Sequence, residues 1–356
     1  MTLRLIEGWD HLGSHAGPTA KGWIRLGNST TNPTAAAGRI SGSCIHFFSD
    51  GSGIRTGGYR TVFPSATNYP NFVLGFAINI QSPPQGSSAA QNLVALYTSG
   101  SVFVCGLRFN SATNYYYVVD AAGSTIITFS RPAVIGAWHY IEIGGFCNGA
   151  SGTLEARMEG ANVGGPTTCN IGSTGVNIMD FSVVNDSSNT RPQYQLDDVY
   201  FVDRAAGSAP GNTFLGDVRI ETIFPTAEGN SSDWTPLSGA DNALMVDDPG
   251  PVDSDTTYVS SNTVGSKDTY VTGDVTVSSG TVFAVQTCIT ARKDDALTRQ
   301  IKHVIPQGGV DYDGSVTHTI SSGYLTYTEL MELDPAGGAW SVTDVNSDEF
   351  GMKLVT

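Results

Sequence analysis

The chain has 356 residues, more than one ordinary sandwich needs, so two domains are the natural expectation. Its 18 basic and 33 acidic side chains give a formal charge of −15 with no Lys/Arg cluster, which excludes a counterion-releasing phosphate binder and therefore a nucleic-acid partner. Charged residues make up only 14% and 42 glycines punctuate short apolar runs, the composition of many strands joined by tight turns.

The opening stretch MTLRLIEGWDHLGSH has neither the basic start nor the apolar core of a signal peptide. No run approaches the roughly 20 apolar residues of a membrane span. These features predict a chain made and assembled in a cytoplasm, without membrane insertion. His11 and His15 are four apart, a metal spacing on a helix, but Gly13 and Gly17 disfavour a helix there. Period-2 patterns dominate the chain. In Phe72 to Ile80, Phe72, Leu74, Phe76, Ile78 and Ile80 share one face. Phe103, Cys105, Leu107 and Phe109 do the same in the next run, and Leu154, Ala156 and Met158 alternate with Glu155, Arg157 and Glu159. About ten such strands with no amphipathic helix predict an antiparallel jelly-roll sandwich over residues 1–205.

Residues 206–255 change character. A further strand is expected over Val218, Ile220 and Thr222, followed by an acidic, Pro/Gly-rich connector packed on a domain or a neighbour. Trp234, Leu237, Leu244 and Met245 are its expected anchors. Residues 256–356 return to alternation and predict a smaller β-sandwich for docking or oligomerisation. It ends in a short helix capped by Thr343 or Asp344 and a last strand. The fold class is all-β.

Chemistry is harder to find. Glu155-Ala-Arg-Met-Glu159 is the nearest approach to the alternating acids of a sandwich glycosidase, but it lacks the central Asp and carries Arg157. No Gly-x-Ser-x-Gly, phosphate loop or dinucleotide fingerprint occurs, and the six histidines are scattered. The expectation is a chain that is not an enzyme, with no catalytic residues and no cofactor. The five cysteines (Cys44, Cys105, Cys147, Cys169, Cys288) include no CxxC pair and read as reduced, buried small hydrophobes. Asx-rich runs at 184–189, 247–248, 253–255 and 311–313 offer calcium-type oxygens, although turn chemistry explains each of them.

The adjacent acids Asp197 and Asp198, inside the apolar run YQLDDVYFVD, are the most unusual feature. Alternation places Asp198 with Leu196 and Tyr200, and Asp197 with Val199 and Phe201, so one of the two must face inward. Three roles stand open: an architectural carboxylate held by backbone N–H groups or an Arg, a calcium ligand, or a glycan contact. Tyr115, Tyr116, Tyr117 and Trp234 are candidate glycan or partner contacts, the plainer alternative for the tyrosines being a strand with alternate rings in the core.

Trp138-His139-Tyr140-Ile141, Met158-Glu159-Gly160 and Leu196-Asp197-Asp198-Val199 together resemble the concanavalin A-like, laminin-G-type sandwich, with Glu159 where many members have Asp. A softer likeness spans more of the chain. IEGWDHLG, LDDVYFVD, FLGDVRIETIFPTAEGNSSDWTP, DTTYVSSNTVGSKDTY, ITARKDDALTRQIKHVI and AWSVTDVNSDEFGMKLV look like structural proteins of tailed bacteriophages. That resemblance implies a place in the virion, as tail fibre, tail tip or head-surface decoration. Its implied partners are other virion proteins, copies of itself and host-surface glycan, with no catalytic set. The alternative is a lectin-like module recognising host polysaccharide.

Overall fold

The computed structural model describes residues 2–10, 16–27, 34–48, 56–83, 91–184, 192–205, 213–250 and 252–356. The chain divides into two compact units, one of residues 1–9 and 23–220, the other of residues 10–22 and 221–356. Both are built of antiparallel sheets, so the chain is all-β as expected. The stretch read as a connector is shared out: residues 213–220 belong to the first unit and those from 221 to the second.

The first unit is a two-sheet sandwich. Its eight-stranded sheet runs Ala161–Cys169, Gly152–Met158, Trp138–Phe146, Asn71–Ser82, Gln193–Asp203, Ser43–Phe48 and Thr34–Ala37, with Leu3–Glu7 also paired to Gln193–Asp203. The seven-stranded sheet runs Thr125–Thr128, Tyr115–Val119, Phe103–Asn110, Val94–Tyr97, Ile178–Val184, Thr56–Val62 and Ile24–Leu26. Aromatic rings fill the space between them. Phe76 meets Phe181 of the opposite sheet edge-on with centroids 6.0 Å apart, and Phe72 stacks on Phe201 at 5.9 Å. Such pairs add to the area they bury through ring quadrupoles.

Asn71–Ser82 is central, and its second face is covered as well: Val73 and Ala77 are as fully buried as Phe72 and Phe76. On the outer side of the sheet the stretch 213–220, which forms no strand, bonds to Glu142, Asp198 and Tyr200. The sequence predicts a strand there from its alternating Val218, Ile220 and Thr222; the structure does not bear this out. Its Leu215, Gly216 and Ile220 N–H groups donate to side chains of the sheet and Val218 O accepts from Arg39, in place of ladder bonds. The strand appears instead at Pro225–Ser232, inside the stretch read as irregular.

The second unit contains a six-stranded sheet, Pro225–Ser232, Lys267–Thr272, Glu349–Leu354, Gln300–Gln307 and Val310–Asp313, with His318–Thr319 also paired to Gln300–Gln307. Two-stranded ladders join Thr235–Pro236 to Val259–Ser260 and Val285–Ala291 to Leu325–Met331. Trp234 packs against two of its apolar clusters and donates its ring N–H to Ser266 O at 3.3 Å. Leu237 and Leu244, read as anchors, are 45% and 57% exposed. The helix Val342–Ser347 is capped by Ser341, two or three residues earlier than expected: Ser341 Oγ accepts from Asp344 N while the Asp344 carboxylate accepts from Ser341 N. That reciprocal pair is a capping box.

Cys44, Cys105, Cys147 and Cys169 are buried and outside any disulfide, and Cys288 is exposed, which corrects its reading as a core residue. Burial pushes the thiols of Cys147 and Cys169 up to about 12 and 11 and that of Cys105 well above its ordinary value. Since the thiolate is the nucleophile, these three stay inert at pH 8. Native protein treated with a maleimide is expected to take up label at Cys288, and at all five positions only after unfolding. Peptide mapping checks this, and modification of Cys105 in the native chain would contradict it.

Candidate functional site

The site grows from one extra residue. Opposite Asn71–Ser82, the strand Gln193–Asp203 pairs Asp197 with Ala77 but Tyr200 with Gly75, three positions against two. This is a bulge, and Asp198 takes it up with a left-handed φ of 51°. The bulge reverses the alternation expected from sequence. Leu196 and Phe201 point into the sandwich, whereas Tyr200 turns to the outer face.

On that face, Tyr200 pairs with Gly75 and Gly75 with Glu142, and Glu142 pairs with Arg157. A Cβ at Gly75 would lie 2.0 Å from Tyr200 Cε1, so only glycine lets the ring lie across the strand. The phenol reaches over and donates to Glu142 Oε1, which also accepts from Gly216 N at 2.9 Å. Tyr200 Oη in turn accepts from Leu215 N at 3.1 Å. Burial and the facing Glu142 carboxylate push the Tyr200 phenol well above its ordinary pKa, keeping it a donor.

Asp197 and Asp198 sit beside this row and both are buried. Asp197 accepts from Arg39 N at 2.8 Å and from Asp198 N at 2.9 Å. Asp198 lies 2.8 Å from Arg39 Nε and accepts from Ile220 N at 2.6 Å. The guanidinium also bonds Asp217 Oδ1 at 2.5 Å and Val218 O at 2.6 Å, and lies over the Tyr140 ring at 5.1 Å. A calcium ion would have to displace an arginine and three backbone donors, so these acids do not fit a cation site. Neither side chain offers a sugar more than a few per cent of its surface. The geometry is that of a clasp holding 213–220 onto the sheet.

Beyond the clasp the outer face opens into a groove of about 290 Å³, lined by Asn71, Gly144, Gly145, Phe146, Thr153, Glu155, Pro166 and Arg204. Phe214 packs against two of these residues, Gly144 and Arg204. A Cβ at Gly144 would stand 2.6 Å from Phe214 Cζ, and the ring is covered by the guanidinium groups of Arg157 at 4.0 Å and Arg204 at 5.5 Å. Arg157 is neutralised by Glu155 at 3.1 Å, whereas Arg204 has no carboxylate partner among the described residues. Phe146 is 43% exposed at the groove's end.

The other expected contacts lie elsewhere. Tyr116 has no exposed surface and packs on Phe109, Phe129 and His139 in the core, so it is not available to a ligand. Tyr115 and Tyr117 are half-buried, and Trp234 is a packing residue of the second unit. His11, His15 and residues 185–189 lie outside the described residues. The runs at 247–248, 253–255 and 311–313 use acids in local turns and ion pairs: Asp248 and Asp253 accept backbone bonds, Asp255 pairs with Arg292, and Asp313 with Lys353. Among the described residues, the grouping with the composition of a metal site lies in the second unit, at His303, His318 and Glu329.

No family model and no curated protein matches the sequence. Solved structures similar in fold include the marine alginate lyase from Aplysia kurodai, with 10% identity, a TM-score of 0.41, and 57% of this chain covering 100% of that one. Domain 4 of an arabinanase from Geobacillus stearothermophilus, solved with arabinotriose, is 13% identical with a TM-score of 0.34, over 57% and 92% of the two chains. A sialidase from Trypanosoma rangeli is 15% identical with a TM-score of 0.34, over 50% of this chain and 30% of its own length. These matches correct the expectation that the chain is not an enzyme: a lyase and a sialidase are catalysts, so absence of turnover is not a conclusion for a sandwich of this kind. At such low scores they assign no residue and no substrate.

Proposed function

We propose that the first unit binds a carboxylated saccharide in the groove between Phe146 and Arg204, and that the protein does so as an adhesive component of a virion surface. The virion setting is supported by the likeness of the sequence to tailed-phage structural proteins. The binding reading rests on one observation: an arginine without a carboxylate partner stands beside an exposed phenylalanine in a concave polar groove. A pyranose ring stacks its apolar face on an aromatic side chain, and a planar guanidinium takes a carboxylate in two parallel hydrogen bonds. Thr153 and Asn71 supply further polar atoms for hydroxyl groups. A chain of charge −15 repels polyanions in general, so such a ligand would depend on this local cation.

Calorimetric titration of the whole chain with neutral and uronic-acid oligosaccharides tests the reading. Arg204→Ala is expected to weaken binding of the acidic sugar about 10–100-fold, the worth of a hydrogen bond to a charged group, and to leave neutral sugars unaffected. Phe146→Ala should weaken both. Binding that neither substitution alters would put the ligand elsewhere and end this proposal.

A further inference from the structure

The second unit holds a side-chain group that the groove reading does not use. His303 stands on Gln300–Gln307 and His318 on the neighbouring His318–Thr319 of the six-stranded sheet, while Glu329 comes from Leu325–Met331 of a separate ladder. One ligand atom from each falls within 4.8 Å of the others. His303 is 1% exposed and Glu329 5%. Neither ring nitrogen of His303, nor Nε2 of His318, nor Oε2 of Glu329 has a hydrogen-bond partner among the described residues. Folded proteins pair nearly all buried polar atoms, so orphans converging from three strands call for a shared partner.

The carboxylate is set for one. Its Oε1 accepts from Ser315 N at 2.5 Å and from Ser315 Oγ at 2.7 Å, which leaves Oε2 for another bond. A Cβ at Gly314 would stand 2.0 Å from Oε2, so the absence of a side chain there makes the carboxylate's position possible. Burial, and secondarily the facing His318, lowers His303 to about 3, and burial lowers His318 as well. A metal would take the lone pair of a neutral imidazole from each ring.

We propose that His303, His318 and Glu329 bind a divalent transition metal of the zinc class, tying the six-stranded sheet to the two-stranded ladder. Two imidazole nitrogens and one carboxylate oxygen suit zinc and not the all-oxygen preference of calcium or magnesium. Tetrahedral bonds of about 2.0–2.1 Å set ligand atoms roughly 3.4 Å apart, so the three side chains close in by about an ångström. Three protein ligands leave a fourth position for water, on the side where His318 is only half-buried. Ser315 is a positioning residue that holds the carboxylate through its other oxygen. This inference is independent of the saccharide groove.

The test uses the full chain, stripped with EDTA, dialysed and titrated with zinc chloride by calorimetry, with calcium and magnesium chloride as controls. One zinc per chain is expected, with no saturable uptake of the controls. Zinc at a hundredfold excess over its Kd should raise the second unit's melting midpoint by roughly 5–10 °C. His318→Ala and Glu329→Gln should abolish the uptake. Gly314→Ala leaves all three ligands in the sequence and should weaken it about 10–100-fold. X-ray absorption of the zinc-loaded wild-type chain should read two imidazoles, a measurement that survives even if a variant fails to fold. No saturable zinc binding by the wild-type chain overturns the proposal. So does binding that His318→Ala and Glu329→Gln leave unchanged, or a ligand shell without imidazole.

Discussion

Arg39→Met is expected to lower the stability of the first unit by about 3–5 kcal/mol, the cost of stranding a buried charge. The guanidinium side chain is 10% exposed and Asp198 only 5%. Removing the cation leaves the Asp198 carboxylate with the Ile220 N–H, and releases Asp217 and the Val218 carbonyl. Methionine has nearly the right length but no donors, so the loss is electrostatic more than steric. Arg39→Lys should recover only part, because one ammonium cannot reach Asp198, Asp217 and Val218 O in the fork geometry of an arginine. Combining Arg39→Met with Asp198→Asn should cost clearly less than the two single effects added, since the second change removes the stranded charge. Hydrogen exchange of the amides in Asn71–Ser82 reads the first unit's opening free energy separately from the second unit's. A loss under 1 kcal/mol for Arg39→Met would show that the clasp contributes little.

The second large effect is expected at Gly75. Gly75→Ala places a methyl group 2.0 Å from a ring carbon of Tyr200, whose hydroxyl is held by Glu142 and by Leu215 N. The ring cannot rotate away without stranding Glu142, which has no exposed surface and whose Oε2 already lacks a partner among the described residues. We expect a loss of about 3 kcal/mol, the upper part of the range for overpacking a core. Tyr200→Ala should cost a similar amount by leaving a cavity. The double variant should be more stable than additivity requires, because the new methyl occupies part of the vacated space. Strict additivity in that cycle, followed by the same amide exchange, would mean that the ring and the glycine do not constrain one another.

These two sites show where the sequence was readable and where it was not. The period-2 runs at Phe72–Ile80 and Leu154–Met158 foretold strands correctly, because inward alternation is imposed by the core and survives any neighbour. The strands before residue 70 were hard to read: Thr34–Ala37 and Thr56–Val62 are rich in Ala, Gly and Thr and have little alternation to show. At Asp197 and Asp198 strict alternation misled, since a one-residue bulge at Asp198 turns Tyr200 outward and no local residue announces it. The segment at Val218 and Ile220 carried a strand pattern but bonds to side chains, a competition that only the folded sheet reveals. The zinc-class group was invisible for a different reason. Its members are 15 and 11 positions apart on three strands, and only sheet topology brings them together. An isolated glycine beside a serine, Gly314-Ser315, gives no warning that it seats a carboxylate from residue 329.

The clasped stretch 213–220 also bears on how the first unit can be cut from the chain. A fragment ended just after its last strand, at Asp203, would bare Glu142, Tyr200 and the two aspartates to water and leave Arg39 without Asp217 or Val218 O. Carried through Ile220, the same fragment would keep that polar face sealed, with residues 10–22 of the second unit travelling along with it.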